Sequence, residues 1–252
     1  MGILYGDKLP GGWVEIRPMT TREEKILLSP THERTELMAK VIEKCVLTET
    51  IDTGELLVTD RLYLLFAIRN LTYGAGYQFT VKCPACHNTS PRALRIPEDL
   101  TLTALDATDE EPFKVTLPMS KQKLELRLLR VKDEEDIKRY TNQANSRFPD
   151  GHMGDLGYEY RLAKHVITID GAPVTTLEAM KIFEEMHARD SLAMRLTLEK
   201  HESGLELNLK CSCSSCGNSF EQPLPMTAEF FRPSTISDDG PETDVLGDAE
   251  GD

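Results

Sequence analysis

Two Cys-x-x-Cys segments constrain the fold of this chain more than any other feature of its sequence. One contains Cys83 and Cys86, the other Cys213 and Cys216, and 126 residues lie between them. Each pair follows a run in which apolar and polar residues alternate, which is typical of a strand. Two thiolates at i and i+3 on a turn can face one ion, and two such turns complete a tetrahedral four-sulfur site. The sequence therefore predicts a zinc ribbon split by a large insertion.

A structural zinc is strong enough to hold the two distant segments together. Closing a loop of this length costs about 4 kcal/mol of chain entropy, whereas a structural zinc contributes on the order of 10 kcal/mol or more. Four thiolates leave no open position for a water molecule, so we expect a structural metal and no metal-assisted hydrolysis. The ligand set alone does not distinguish zinc from iron.

The choice of ligands is not unique on sequence grounds. Matching Lys-Cys to Lys-Cys would select Cys211, whereas matching Cys-x-x-Cys selects Cys213, which we prefer. His87 could replace one cysteine, although four thiolates already satisfy zinc. The cysteines could also be isolated thiols or form a disulfide, and then no metal would bind. Cys45 lies on the apolar stripe of a predicted helix, so we expect it in the core.

Hydrophobic periodicity predicts an α+β fold, a mainly helical body with the split zinc ribbon and an inserted α+β lobe. We predict four regions: an N-terminal helical region 1–75, the split ribbon 76–100 and 204–233, the inserted lobe 101–203, and a disordered acidic tail 234–252. The tail has too few apolar residues to offset the entropy lost on ordering.

Local signals place the main elements of the body and the lobe. Thr21 and Glu24 fit a capping box at the start of a first helix, and Asp60 can cap a helix that continues to Tyr73. Residues 62–68 of that helix are apolar almost all round, which predicts a central position. We expect Arg61 and Arg69, near its ends, to reach solvent or form ion pairs. In the lobe, the pattern predicts a hairpin (113–117 with 124–128) and helices around 160–166, 176–187 and 191–200.

The charge of the chain argues against a nucleic-acid partner. It contains 29 Lys and Arg against 42 Asp and Glu, a formal net charge of −13. Seven acids lie in residues 234–252, so the remaining chain carries −6. Such a field repels polyphosphates and anionic lipid unless a basic patch overrides it. The candidates for such a patch are Lys121, Lys123, Arg127, Arg130 and Lys132.

Signals for an enzyme or a membrane protein are missing. The chain has no Gly-x-x-x-x-Gly-Lys loop, no Gly-x-Ser-x-Gly elbow and no complete His-Glu-x-x-His motif. The segment 74–79 lacks the third glycine of a dinucleotide-binding loop. The longest nearly apolar stretch is far shorter than the ~18 residues of a membrane span, and the N-terminus does not resemble a signal peptide. We therefore predict a non-enzymatic protein without a membrane span.

Ordered features of the first hundred residues resemble one known family. They are Leu9-Pro10, the segment Ile16 to Glu24, the segment Asp60 to Arg69, Tyr73-Gly74, and the turn Cys83-Pro84-Ala85-Cys86. In this order they are similar to the baseplate hub and hub-assembly proteins of T-even-like contractile-tailed bacteriophages. The resemblance covers residues 9–100 best and is thinner through the insertion.

The resemblance implies a structural part of the viral tail or a factor for its assembly. The expected partners are other tail or baseplate hub proteins, with the tape-measure protein as a further candidate. The expected location is the tail baseplate of the virion, or the host cytoplasm during assembly. The resemblance does not separate a virion component from a transient assembly chaperone. A zinc-ribbon nucleic-acid or transcription adaptor is the alternative function.

Overall fold

Helices and small antiparallel sheets alternate along the computed structural model, which describes residues 14–29, 34–49, 51–103, 111–148, 154–202 and 204–233. This mixture confirms the predicted α+β class. The prediction of a disordered tail, 234–252, lies outside the described residues. Within them, no helix has the length and apolarity needed to cross a membrane.

The helices and strands have the following bounds and pairing. The helices are α1 (Thr21–Leu27), α2 (Arg34–Cys45), α3 (Val58–Tyr73), α4 (Val131–Asn145), α5 (Tyr158–Lys164), α6 (Thr176–Glu184), α7 (Ala188–Lys200) and α8 (Ala228–Phe231). The strands are β1 (Gly76–Lys82), β2 (Thr89–Arg95), β3 (Leu102–Thr103), β4 (Phe113–Thr116), β5 (Lys123–Leu126), β6 (Val166–Ile169), β7 (Ala172–Pro173), β8 (Gly204–Leu205), β9 (Asn208–Ser212) and β10 (Ser219–Pro223). β1 pairs with β2, β9 with β10 and β3 with β8, while β4 to β7 form a four-stranded sheet in sequential order.

Helix α3 occupies the centre of the first hydrophobic core, as its sequence predicts. The five consecutive residues from Leu64 to Ile68 are each at most 3% exposed. An apolar helix of this kind needs cover on all sides. Side chains from α2, β1 and the C-terminal α8 belong to the same core, so residues from both ends of the chain surround α3.

The start of α3 differs from the prediction. The helix begins at Val58, after the N-cap residue Leu57, which has no side-chain capping bond. Asp60 therefore lies inside the first turn, where it is 2% exposed. The physical reason is that Leu57 forms a β-bridge with Arg130 and packs in the second core, which brings the chain into the helix at Val58.

The capping box of α1 lies one residue before the predicted one. Thr20 is the N-cap and Glu23 is its reciprocal partner, in place of Thr21 and Glu24. The Glu23 carboxylate accepts a hydrogen bond from the Thr20 amide at 2.8 Å and from the Arg17 guanidinium at 3.0 Å. This bond to Arg17 fixes Glu23 in the capping position.

A second hydrophobic core lies within the insertion. It joins the four-stranded sheet to α5, α6 and α7, and among the described residues of the N-terminal region only Leu57 is a buried member. The short pair of β3 and β8 connects the start of the insertion to the chain that follows it. Two separate cores agree with a body and an inserted lobe, although the boundaries at residues 75, 100, 203 and 233 stay a prediction.

The predicted hairpin of the lobe is confirmed, and one helix end is corrected. β4 and β5 pair in antiparallel register, and the Asp190 carboxylate accepts hydrogen bonds from the amides of Met119 and Ser120 in their turn. Val166 belongs to strand β6, not to the preceding helix. The reason is that the carbonyl of His165 accepts a hydrogen bond from the amide of Arg127, the residue that directly follows β5. This bond satisfies the carbonyl within the sheet, so the residues after His165 continue as a strand.

Candidate metal centre

Both Cys-x-x-Cys segments form the same turn at the end of a strand. β1 and β9 each end one residue before the first cysteine of their pair. The amide of Cys83 donates to the Asn88 carbonyl and the amide of Cys213 donates to the Asn218 carbonyl, both at 2.9 Å. In each turn the carbonyl of the first cysteine also accepts a hydrogen bond, at 3.0 Å, from the amide four residues later. The two turns therefore present their sulfurs in the same way.

The structure brings the four predicted cysteine sulfurs together. Cys83 Sγ lies 3.8 Å from Cys216 Sγ, and Cys86 Sγ lies 3.6 Å from Cys213 Sγ. All four sulfurs lie within 4.8 Å of one another. A tetrahedron with metal–sulfur bonds of about 2.3 Å has sulfur–sulfur edges of about 3.8 Å. The observed distances fit such a tetrahedron, so the group could hold one metal ion.

The local hydrogen bonds favour thiolates in the buried half of the group. Cys83 and Cys213 are 1% and 5% exposed, whereas Cys86 and Cys216 are exposed. The backbone amides of Cys86 and Ala85 lower the pKa of Cys83 to about 6. In the second turn, the amides of Cys216 and Ser215 likewise lower the pKa of Cys213.

Four sulfurs this close need a cation if all of them are to lose their protons. The Asn218 amide lowers the pKa of Cys216, but the neighbouring sulfurs outweigh it and raise that pKa to about 12. The neighbouring sulfurs therefore favour a proton on Cys216. A divalent metal ion supplies the positive charge that would displace it.

The other candidate ligands lie outside this group. Cys211 is buried in β9, where it pairs with Phe220 of β10. His87 adopts a left-handed backbone conformation (φ 59°) in the first turn, and its side chain is not among the clustered ligand atoms. Cys45 is fully buried in the first core, as predicted. Among the described residues, the four-cysteine group is the single cluster of three or more potential ligands.

A buried arginine connects the first hairpin and the C-terminal helix α8 to α3. Arg69 is 1% exposed, and its guanidinium donates to the carbonyls of Phe230 at 3.3 Å, Gly76 at 2.7 Å and Gly74. The expectation that Arg69 reaches solvent or an acid is therefore wrong. Its partners are backbone carbonyls at the end of α3, the start of β1 and in α8, which supply the acceptors that a buried guanidinium needs.

Two residues of the first hairpin, Arg92 and Tyr77, make further contacts with the second hairpin and the C-terminal segment. The guanidinium of Arg92 in β2 donates to the carbonyl of Ser212 in β9. The hydroxyl of Tyr77 donates to the carbonyl of Pro225, and its ring packs edge-on against Phe230 with centroids 5.0 Å apart. The hydrogen bond from Arg92 to Ser212 therefore joins the two hairpins next to the second cysteine turn.

Comparison with protein families gives one match over most of the chain. The family model described as T4 bacteriophage base plate protein matches residues 4–232. This range includes both cysteine turns, the helical body and the inserted lobe. Comparison with curated proteins and with solved structures gave no significant match.

Proposed function

The chain belongs to the T4 bacteriophage base plate protein family and is a protein of the phage virion tail, and we propose that it is a non-enzymatic structural component of the baseplate hub. The family match over residues 4–232 carries this proposal. The described residues add a four-sulfur group whose geometry suits a structural metal and leaves no open coordination position.

Cys83, Cys86, Cys213 and Cys216 are the proposed ligands of a structural zinc. This zinc would complete a split zinc ribbon made of the two hairpins, 76–100 and 204–233. The sulfur–sulfur distances of 3.6 and 3.8 Å support this assignment. In this role the metal cross-links the two ends of the insertion and so fixes where the lobe leaves the body.

The partners are other tail proteins, and within the hub we propose contacts with hub or tape-measure proteins. Mass spectrometry of purified phage particles against infected-cell lysate tests the hub proposal. We expect the protein in the particles, at a constant ratio to other baseplate proteins. Its presence in the lysate and absence from particles would instead indicate a transient assembly factor.

A nucleic-acid adaptor, the alternative function, requires a basic patch, and three of the five candidate cations form ion pairs within the protein. Arg127 pairs with Asp133 at 2.6 Å, and Arg130 pairs with Glu111 at 2.6 Å. Lys132 forms an ion pair with Glu55. These three charges are partly compensated within the protein, which weakens their attraction for phosphate.

A further inference from the structure

A half-open groove lies where the helical body meets the inserted lobe. The start of α3, the segment between β5 and α4, and helices α5 and α7 line it, and its cavity volume is about 580 Å³. Its floor is apolar, with Leu57 from the body and Leu129, Leu162 and Leu198 from the lobe. Such a volume accommodates several large aliphatic or aromatic side chains.

Two carboxylates on the rim of the groove have no cationic partner among the described residues. Glu134, also on the rim, pairs with Arg61 at 2.5 Å. Glu199 and Glu202, near the end of α7, line the groove without an ion pair of this kind. Partial burial and the nearby carboxylate of Glu199 raise the pKa of Glu202. This rim therefore carries uncompensated negative charge beside an apolar floor.

The remaining charges of the rim do not cancel these carboxylates. The Arg161 guanidinium pairs with Asp155 at 3.1 Å, outside the set of groove residues. Arg195 also lines the groove, so one positive charge faces the two negative charges of Glu199 and Glu202. Among the residues that line the groove, the charge without an ion-pair partner is therefore net negative; Lys200, the last residue of α7, does not line the groove.

The apolar surface continues from the groove along the outer face of α7. Leu192 and Leu196 are 44% and 54% exposed. With Arg195 and Glu199 they occupy positions i, i+3, i+4 and i+7, which form one stripe on a helix. The stripe ends at the groove, because Arg195 and Glu199 line both.

We propose that this groove and the adjoining Leu192–Leu196 stripe bind an amphipathic helix of another tail protein, with apolar side chains in the groove and a lysine or arginine against Glu199 and Glu202. Charge complementarity selects a basic helix over an acidic one. A helix also suits the surface, because helix-in-groove recognition uses apolar anchors at i, i+3, i+4 and i+7 spacing. The inference rests on the proposed function only for the existence of a tail partner.

Two synthetic helical peptides with the same leucine pattern test this proposal. One carries lysines at the flanking positions and the other carries glutamates, and fluorescence anisotropy at neutral pH gives each dissociation constant. We expect the lysine peptide to bind the wild-type protein more tightly. Glu199→Gln/Glu202→Gln should weaken its binding about fivefold or more, and Glu199→Lys/Glu202→Lys should reverse the peptide preference.

A matched control separates the groove from general charge attraction. Glu184→Gln/Glu185→Gln removes the same charge from exposed positions outside the groove and should leave the affinity unchanged. Leu129→Trp fills the groove and should weaken binding without a change of charge. The proposal would be overturned if Glu184→Gln/Glu185→Gln weakened binding as much as Glu199→Gln/Glu202→Gln. It would also be overturned if Glu199→Lys/Glu202→Lys did not reverse the preference between the two peptides. Virion mass spectrometry tests the proposed function and does not measure peptide binding. Either proposal can therefore be contradicted while the other one stands.

Discussion

At the scale of single residues, the two cysteine turns share a left-handed backbone position. It is occupied by His87 in the first turn (φ 59°) and by Gly217 in the second (φ 72°). Glycine adopts this conformation without a steric penalty, whereas other L-residues pay roughly 1–2 kcal/mol. A residue with a side chain can therefore occupy this position of the turn, but it lowers the stability of the fold by a measurable amount.

Replacing Gly217 by alanine should lower the free energy of unfolding by about 1 kcal/mol. A Cβ atom at this position meets no heavy atom within 4 Å, so the cost is conformational and not steric. Urea denaturation measures the change, and His87→Gly is the reciprocal control, which should cause no loss. An unchanged midpoint for Gly217→Ala would show that the second turn does not have this geometry.

The pair of Arg17 and Glu23 should make stability depend on pH. The hydrogen bond from Arg17 lowers the pKa of Glu23 to about 2, below the ordinary value of 4.5. Because the folded-state pKa is lowered, the stabilisation is present above pH 4.5 and is lost as the pH falls towards 2. Glu23→Gln should therefore destabilise the protein at pH 6 and much less near pH 2.

Denaturation at several pH values, compared with the exposed control Glu43→Gln, measures this effect. The difference between wild type and Glu23→Gln should be about 1–3 kcal/mol at pH 6, because a charged hydrogen bond is lost. A difference that stays constant from pH 6 to pH 2 would contradict the assignment.

Sequence reasoning identified residue types better than their exact partners. Thr and Glu near residue 20 indicated a capping box, but the register depended on the hydrogen bond between Arg17 and Glu23, which the local pattern does not contain. The carboxylate of Asp190, which holds the β4–β5 turn, had no local signal either, since its partners Met119 and Ser120 lie about 70 residues away.

At the scale of elements, the buried arginine of helix α3 connects the body to the first hairpin and to the C-terminal helix α8. The all-round apolar pattern predicted a central helix, because such a surface has to be covered on every side. The role of Arg69 could not be predicted, because its acceptors include the carbonyl of Phe230, 161 residues away. Its partners are backbone carbonyls and not charged side chains, so no pattern of opposite charges in the sequence indicates them.

Arg69→Lys should lower the free energy of unfolding by at least about 3 kcal/mol. A single ammonium group cannot reach all the carbonyls that the guanidinium satisfies, and each unsatisfied buried acceptor costs about 1–3 kcal/mol. Chemical denaturation measures the loss, and Arg139→Lys, at a position whose side chain is 76% exposed, is the control. Hydrogen exchange should also become faster at Phe230 and Phe231 in Arg69→Lys. Equal stability of the two variants would show that these carbonyl contacts contribute little.

At the scale of the whole molecule, the negative charge of the chain is concentrated in a few segments. The described residues contain 28 Lys and Arg against 29 Asp and Glu. The acidity of the chain therefore lies almost wholly in segments outside the described residues, above all in 234–252. Residues 1–233 still carry a net charge of −6. This charge and the ion pairs of three candidate cations both argue against nucleic-acid binding.

The split arrangement is the feature of the whole molecule that the sequence predicted best. Paired cysteines on matching turns are a strong signal, and the structure brings their four sulfurs within 4.8 Å across the insertion. The groove between body and lobe was not predictable, because its walls come from four segments that have no common pattern.

Metal content per chain tests the central claim, that the four sulfurs hold one structural zinc, most directly. Elemental analysis of protein purified without chelators should find about one zinc per chain. Cys83→Ser and Cys213→Ser should lose the metal, whereas the controls Cys45→Ser and Cys211→Ser should keep it. Protein without metal, or loss of metal in Cys211→Ser with retention in Cys213→Ser, would contradict the account.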